Sequence, residues 1–280
     1  IGSNGNDVPV DLTRLTKLTY MYSAYISCDY KMPSSLVELN YGSVTNNKGT
    51  MDLSLCVNLK KLKATSAISE RIFLNMINSI PDNNIIESLE LNQQTYLTNF
   101  LFFEKFANST TLKTVNMPSS THNLKITSIE GLNKVKSLEY ITITYAVNLK
   151  ELPDMSELQN LKSLSITNSA LEGITPETKI RELPNLKSLY FTTNSISDIS
   201  GLIPEEDSHL QNLELLQLGA NCLYNESSYT VNSKEVYSLV DTIFIPLHEK
   251  KLRKLYLVNN PNFTDTEKLK ALKWTEKSGF

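Results

Sequence analysis

A chain of 280 residues that is 40% hydrophobic and 20% charged, with 9 Gly and 10 Pro, has the composition of a folded protein and lies outside the disordered and fibrous ranges. Its 27 Lys and Arg and 30 Asp and Glu leave a formal net charge of -3, with no basic stripe to neutralise phosphates, which argues against a nucleic-acid partner. No run approaches the ~18 apolar residues of a membrane-spanning helix, so no direct membrane insertion is expected.

The chain opens with a small, polar stretch, residues 1–11, which reads as an N-terminal spacer. From Leu12 to about residue 263 one apolar frame, LxxLxL, recurs ten times. Its middle residues are Leu18, Leu39, Leu62, Leu89, Val115, Ile141, Leu164, Leu189, Leu216 and Leu255. The steps between them run from 21 to 27 residues, with one of 39, a period that defines leucine-rich repeats. Within each frame the last two apolar residues point inward and their neighbours outward, so each frame is a short strand. The expected fold is an α/β solenoid, a horseshoe of about ten repeats with a parallel concave sheet and mixed α and 3₁₀ segments on the convex side.

The return segments differ along the chain. After the third strand Ile72, Phe73, Met76, Ile77 and Ile80 form the stripe of an amphipathic helix, and after the fourth Phe100, Leu101, Phe103 and Phe106 read the same way. The segments at SIEGL, from Ser128, and SISDISGL, from Ser195, have room for one tight turn each. In the C-terminal half an Asn follows the frame by three residues, at Asn194, Asn221 and Asn260. An amide there can both donate to and accept from the backbone where the chain leaves the strand. Earlier repeats carry Ser23, Val44, Ala67, Gln94, Ser120, Ala146 and Ser169 at this place, so the ladder is incomplete.

The 39-residue step holds an enlarged repeat with a helical insertion at about 222–250. Asn232 and Glu235 are its expected cap pair, Val236, Leu239, Val240 and Ile243 its apolar face, and Pro246 its end. Residues 264–280 are expected to form a C-terminal capping helix opened by a Thr264 and Glu267 capping box, with Leu269, Leu272 and Trp274 laid over the last coil.

Motifs for catalysis are missing: there is no GxxxxGK, GxGxxG, HExxH or GxSxG. His122, His209 and His248 fall in polar connecting segments and are expected to be solvated. Cys28, Cys56 and Cys222 are far apart, without CxxC spacing, and are expected to fill buried or half-buried positions. The expectation is therefore a non-enzyme with no cofactor, no metal and no catalytic residues.

Function is expected on the concave face, where the outward positions line up. Its first repeat is read as Lys17, Thr19, Met21 and Tyr22, and charges are concentrated in the first four repeats. Beyond these the face is almost uncharged and carries tyrosines among Ser, Thr and Asn. Tyr140, Thr142, Tyr145, Ser163, Ser165, Tyr190, Thr192, Gln217 and Tyr256 are the candidate partner-binding residues, because Tyr supplies contact area with a polar tip and the small polar residues adapt around it. Strand propensity alone explains the threonines but explains the tyrosine cluster less well.

The sixth to ninth repeats, with LQNLKSLSITNSAL, LPNLKSLYFTTNSISDISGL and LQNLELLQLGANCL, resemble those of internalin-like bacterial surface proteins. The resemblance implies a secreted or cell-surface adhesin or receptor that binds a protein partner on its concave face. A glycan partner, or an intracellular scaffold role that free cysteines would permit, are the alternatives.

Overall fold

A computed structural model describes residues 8–23, 28–42, 49–65, 69–119, 123–227 and 237–280. Ten short strands build one parallel sheet in sequence order: Tyr20–Ser23 (β1), Glu38–Tyr41 (β2), Lys61–Ala64 (β3), Ser88–Leu91 (β4), Thr114–Met117 (β5), Tyr140–Thr144 (β6), Ser163–Thr167 (β7), Ser188–Tyr190 (β8), Leu215–Gln217 (β9) and Lys254–Tyr256 (β10). The frame residues pair in register, for example Leu62 with Leu89 and Leu164 with Leu189. Both inward positions of each frame are buried, as with Leu89 and Leu91 or Ile141 and Ile143 at 0% exposure. One continuous core results, a stack of Leu and Ile layers in which each coil buries its apolar side against the next.

The first repeat departs from the expected register. In β1 Met21 pairs with Leu39, and Met21 and Ser23 are buried, whereas Tyr20 and Tyr22 point outward. The frame therefore starts three residues later, at Leu18, and Leu15 stands half-exposed in the preceding turn, its N–H bonded to Leu12 O. The run LTRLTKLTY places a leucine at every third residue, so it fits two registers; the one observed buries Leu12 as well.

The convex side mixes helix types as their spacings demand. Glu70–Ser79 is an α-helix (α1) capped by Ser69, whose Oγ accepts from Ile72 N–H, and it buries Ile72, Phe73, Met76 and Ile77. Leu101–Phe106 is a 3₁₀ helix. Phe100, Phe103 and Phe106 recur every three residues, which suits three residues per turn and leaves Leu101 in solvent. Single 3₁₀ turns occupy Leu132–Lys134 and Ser200–Leu202. The first is entered through Gly131 at φ 93, where a Cβ would lie 2.4 Å from Phe100 O.

In the insertion, Asn232, Glu235 and Val236 lie outside the described residues. Beyond them one π-helical turn, Val240–Phe244, runs straight into an α-helix, Ile245–Lys250 (α2). Pro246 does not end the helix as its position suggested, because it falls in the first turn of α2, where its missing N–H is tolerated. The C-terminal helix is also shorter than expected: Glu267–Ala271 (α3) has no side-chain cap. Thr264 instead bonds Asn225, whose Oδ1 accepts from the N–H groups of Thr264 and Asp265. After α3 the chain returns to the sheet, and Gly279 pairs with Tyr256 through Leu257 N–H to Gly279 O, 2.7 Å, and Gly279 N–H to Leu255 O, 3.0 Å. The last strand thus has its edge covered by the chain's own tail.

Candidate functional site

Pleating sorts the outward side chains of the sheet into two rows, each with one residue per strand. Strand register puts Thr114, Tyr140, Ser163 and Ser188 side by side in one row. Asn116, Thr142, Ser165, Tyr190, Gln217 and Tyr256 form the other. Seven of the nine predicted residues lie in these rows, and across β5 to β9 neither row contains a charge. Tyr140 is the most exposed of the seven, at 45%, and Tyr190 is half-buried between Ser165 and Gln217.

Three predicted residues are placed differently from the open strand positions expected. Tyr145 has left the strand and sits at φ 61 on the rim, its N–H bonded to Thr167 O. Thr192 follows β8, and its carbonyl accepts from Asn168 N–H. Tyr256 is half-covered by the tail, since a Cβ on Gly279 would lie 3.0 Å from its ring, and Lys254 Nζ stands 5.6 Å from the ring centre. Conversely, Tyr20 and Tyr22, 51% and 54% exposed, occupy the two rows on β1. The register of the first repeat hid Tyr20 from the sequence reading; pairing of Met21 rather than Leu18 with Leu39 is what reveals it.

The residue before the first row forms a charged rim. Lys60 bridges Glu87 at 2.9 Å, Glu139 lies 2.6 Å from Lys162 and 3.5 Å from Lys113, and Lys187 lies 3.8 Å from Glu214. The hydrogen bond from Lys162, chiefly, holds the Glu139 carboxyl below its ordinary range. The same Lys162 Nζ stands 5.9 Å from the Tyr140 ring centre and so orders one side of that ring. On the face itself Lys63 bridges Glu90 at 2.7 Å, while Glu38 and Lys61, neighbours on β2 and β3, form no ion pair among the described residues.

The turn out of the strand is held by the asparagine ladder. Asn221 Nδ2 donates to Phe191 O, Leu218 O and Gly219 O, and its Oδ1 accepts from Ile196 N–H. Asn194 and Asn260 make equivalent bonds, and Ser169 substitutes with one acceptor and one donor bond. Just before the ladder residue the chain adopts positive φ without glycine, at Gln93, Tyr145, Asn168, Thr193, Ala220 and Asn259.

His209 is buried rather than solvated, its Nδ1 accepting from Glu206 N–H. His248 packs edge-on against Trp274 at 4.6 Å. His122 lies outside the described residues. Cys28 and Cys56 are buried as expected, but Cys222 is exposed. Among the described residues no group of three or more His, Cys, Asp or Glu is arranged to hold a metal ion, and no helix is long and apolar enough to cross a membrane. A groove of about 760 Å³ runs along the loops past the strands, lined by Leu152, Gly173 and the carboxylates of Glu151, Glu172, Glu177 and Asp198, and it includes none of the tyrosines.

The fold defined by these features is the leucine-rich-repeat solenoid. It is shared with the crystal structure of an internalin, InlF, from Listeria monocytogenes, with a TM-score of 0.50 and 17% identity over 95% of this chain and 87% of that one. TLR13, in a complex with a single-stranded RNA, is similar over 85% of this chain and 45% of its own, at 16% identity and TM-score 0.36. A leucine-rich-repeat protein of Leptospira interrogans is similar over 92% and 88%, at 16% identity and TM-score 0.23. No protein-family model and no curated protein matches the sequence.

Proposed function

We propose that this chain is a non-catalytic repeat domain that holds a protein partner on its concave sheet, as a secreted or cell-surface adhesin or receptor. The observation that carries the reading is the uncharged band of β5 to β9, where Tyr140 and Tyr190 stand among Ser, Thr, Asn and Gln side chains on a frame of packed strands. Rigid aromatic anchors ringed by small polar groups are the composition of interface hot spots, and a preformed sheet loses little entropy on binding. The surface placement follows from the resemblance of the sixth to ninth repeats to internalin-like sequences.

The test is capture from host cell-surface extract by the native chain beside a Tyr140→Ala, Tyr145→Ala, Tyr190→Ala variant with native circular dichroism. The expected result is a protein retained by the first and lost by the second. Equal retention by both, or release by a free oligosaccharide, would sink the protein reading; in the second case the Ser and Thr hydroxyls around the rings become a glycan site.

A further inference from the structure

We infer that the concave site is bipartite: Tyr20 and Tyr22 on β1 form a second anchor, and the partner is a single folded protein that reaches from them to Tyr140 and Tyr190. The inference rests on the concave-face reading above and extends it. Both β1 tyrosines face the same side of the sheet as Tyr140 and Tyr190, and both are at least as exposed as Tyr140. Tyr20 shares the row of Tyr140, five strands away, and Tyr22 shares the row of Tyr190, seven strands away. At ~4.8 Å per strand the anchors are roughly 24 and 34 Å apart, about the width of one standard protein interface.

The segment between the anchors selects the kind of partner. It bears both signs of charge, with Glu38 and Lys61 side by side and uncommitted to any ion pair among the described residues. A neutral glycan laid across them offers hydroxyl hydrogen bonds but no opposite charge to offset the desolvation of a carboxylate and an ammonium. A protein surface that presents a cation over Glu38 and a carboxylate over Lys61 satisfies both, and it fixes the register in which the two aromatic anchors engage.

The experiment takes the protein captured by the native chain, purifies it, and measures its affinity for three folded forms: native, Tyr20→Ala with Tyr22→Ala, and Tyr140→Ala with Tyr190→Ala. Thermal melts of each variant confirm folding, which these outward side chains are expected to leave intact. The expected result is a loss of at least tenfold for each pair. A loss confined to the Tyr140 and Tyr190 pair, with the β1 pair within twofold of native, overturns the bipartite site and leaves the concave reading standing. Unchanged affinity in both variants, or no captured protein, overturns both. As a second readout, Glu38→Lys should slow association at low salt; an association rate unaffected by that change removes the charge argument.

Discussion

At the scale of single residues, a few buried side chains finish the backbone's hydrogen bonding where the chain leaves the strands. Asn221 is 4% exposed and occupies three carbonyls and one N–H. Its replacement by Ala leaves at least Phe191 O and Ile196 N–H without that bond in a dry interior, and is expected to cost about 2–4 kcal/mol in urea unfolding. A loss under about 0.5 kcal/mol would show that the ladder is ornamental. Tyr41 presents the opposite case, a fully buried hydroxyl with no hydrogen-bond partner among the described residues, whose acidity burial suppresses. Tyr41→Phe is therefore expected to leave stability unchanged or raise it by about 1 kcal/mol, since the desolvated O–H earns no bond; clear destabilisation would reveal an unseen partner. Burial, with a lesser contribution from Asp52, pushes the Cys56 thiol up to about 12, and Cys28 is also buried, so only exposed Cys222 should react with a thiol reagent in the native state. Titration with Ellman's reagent should count one thiol before denaturation and three after; two or more fast thiols in the native protein would contradict the packing of Cys28 or Cys56.

At the scale of elements, what local pattern determines was legible in the sequence, and what distant contacts determine was not. The ten strands follow from a frame that repeats, and α1 from the stripe of Ile72, Phe73, Met76 and Ile77, because both depend on near neighbours. Tyr140 and Tyr190 could be placed by the same alternation. Tyr20 was missed because leucines spaced by three fit two registers, and only pairing with β2 chooses between them. The covering of Tyr256 depends on a tail that returns from Gly279, and the loss of the Thr264 capping box depends on Asn225, 39 residues away. That tail is the last strand's edge protection: Leu257 N–H and Leu255 O are satisfied by Gly279, and Leu255 N–H by Ser278 Oγ. Removal of residues 275–280 opens this edge and removes the Phe280 ring that packs on Trp274. A lower melting temperature and concentration-dependent association in light scattering are expected, as for any bared strand edge. An unchanged melt with a monomeric scattering profile would make the tail dispensable.

For the whole molecule, the stacked architecture makes stability a sum over neighbouring coils rather than a property of one centre, so different coils can open separately. The coils are not equal. Repeats eight to ten share the Asn ladder, each amide bonding the coil before it, and the final coil is closed by α3 and the tail. In the first coil Ser23 lies inside β1, opposite Tyr41, and the coil leaves Leu15, Tyr20 and Tyr22 exposed. Native-state hydrogen exchange in low urea is thus expected to show the slowest amides in β6 to β9, around Ile141, Leu164, Leu189 and Leu216, and the earliest opening in β1 and β2. The order matters for binding. A first coil that opens at low free energy would let Tyr20 and Tyr22 adjust to a partner after Tyr140 and Tyr190 have docked on the firmer half, and a bound partner would then slow exchange most at β1. Uniform protection along the sheet, or a first coil that outlasts β8, would show that one cooperative unit governs the solenoid and that neither half is the softer one.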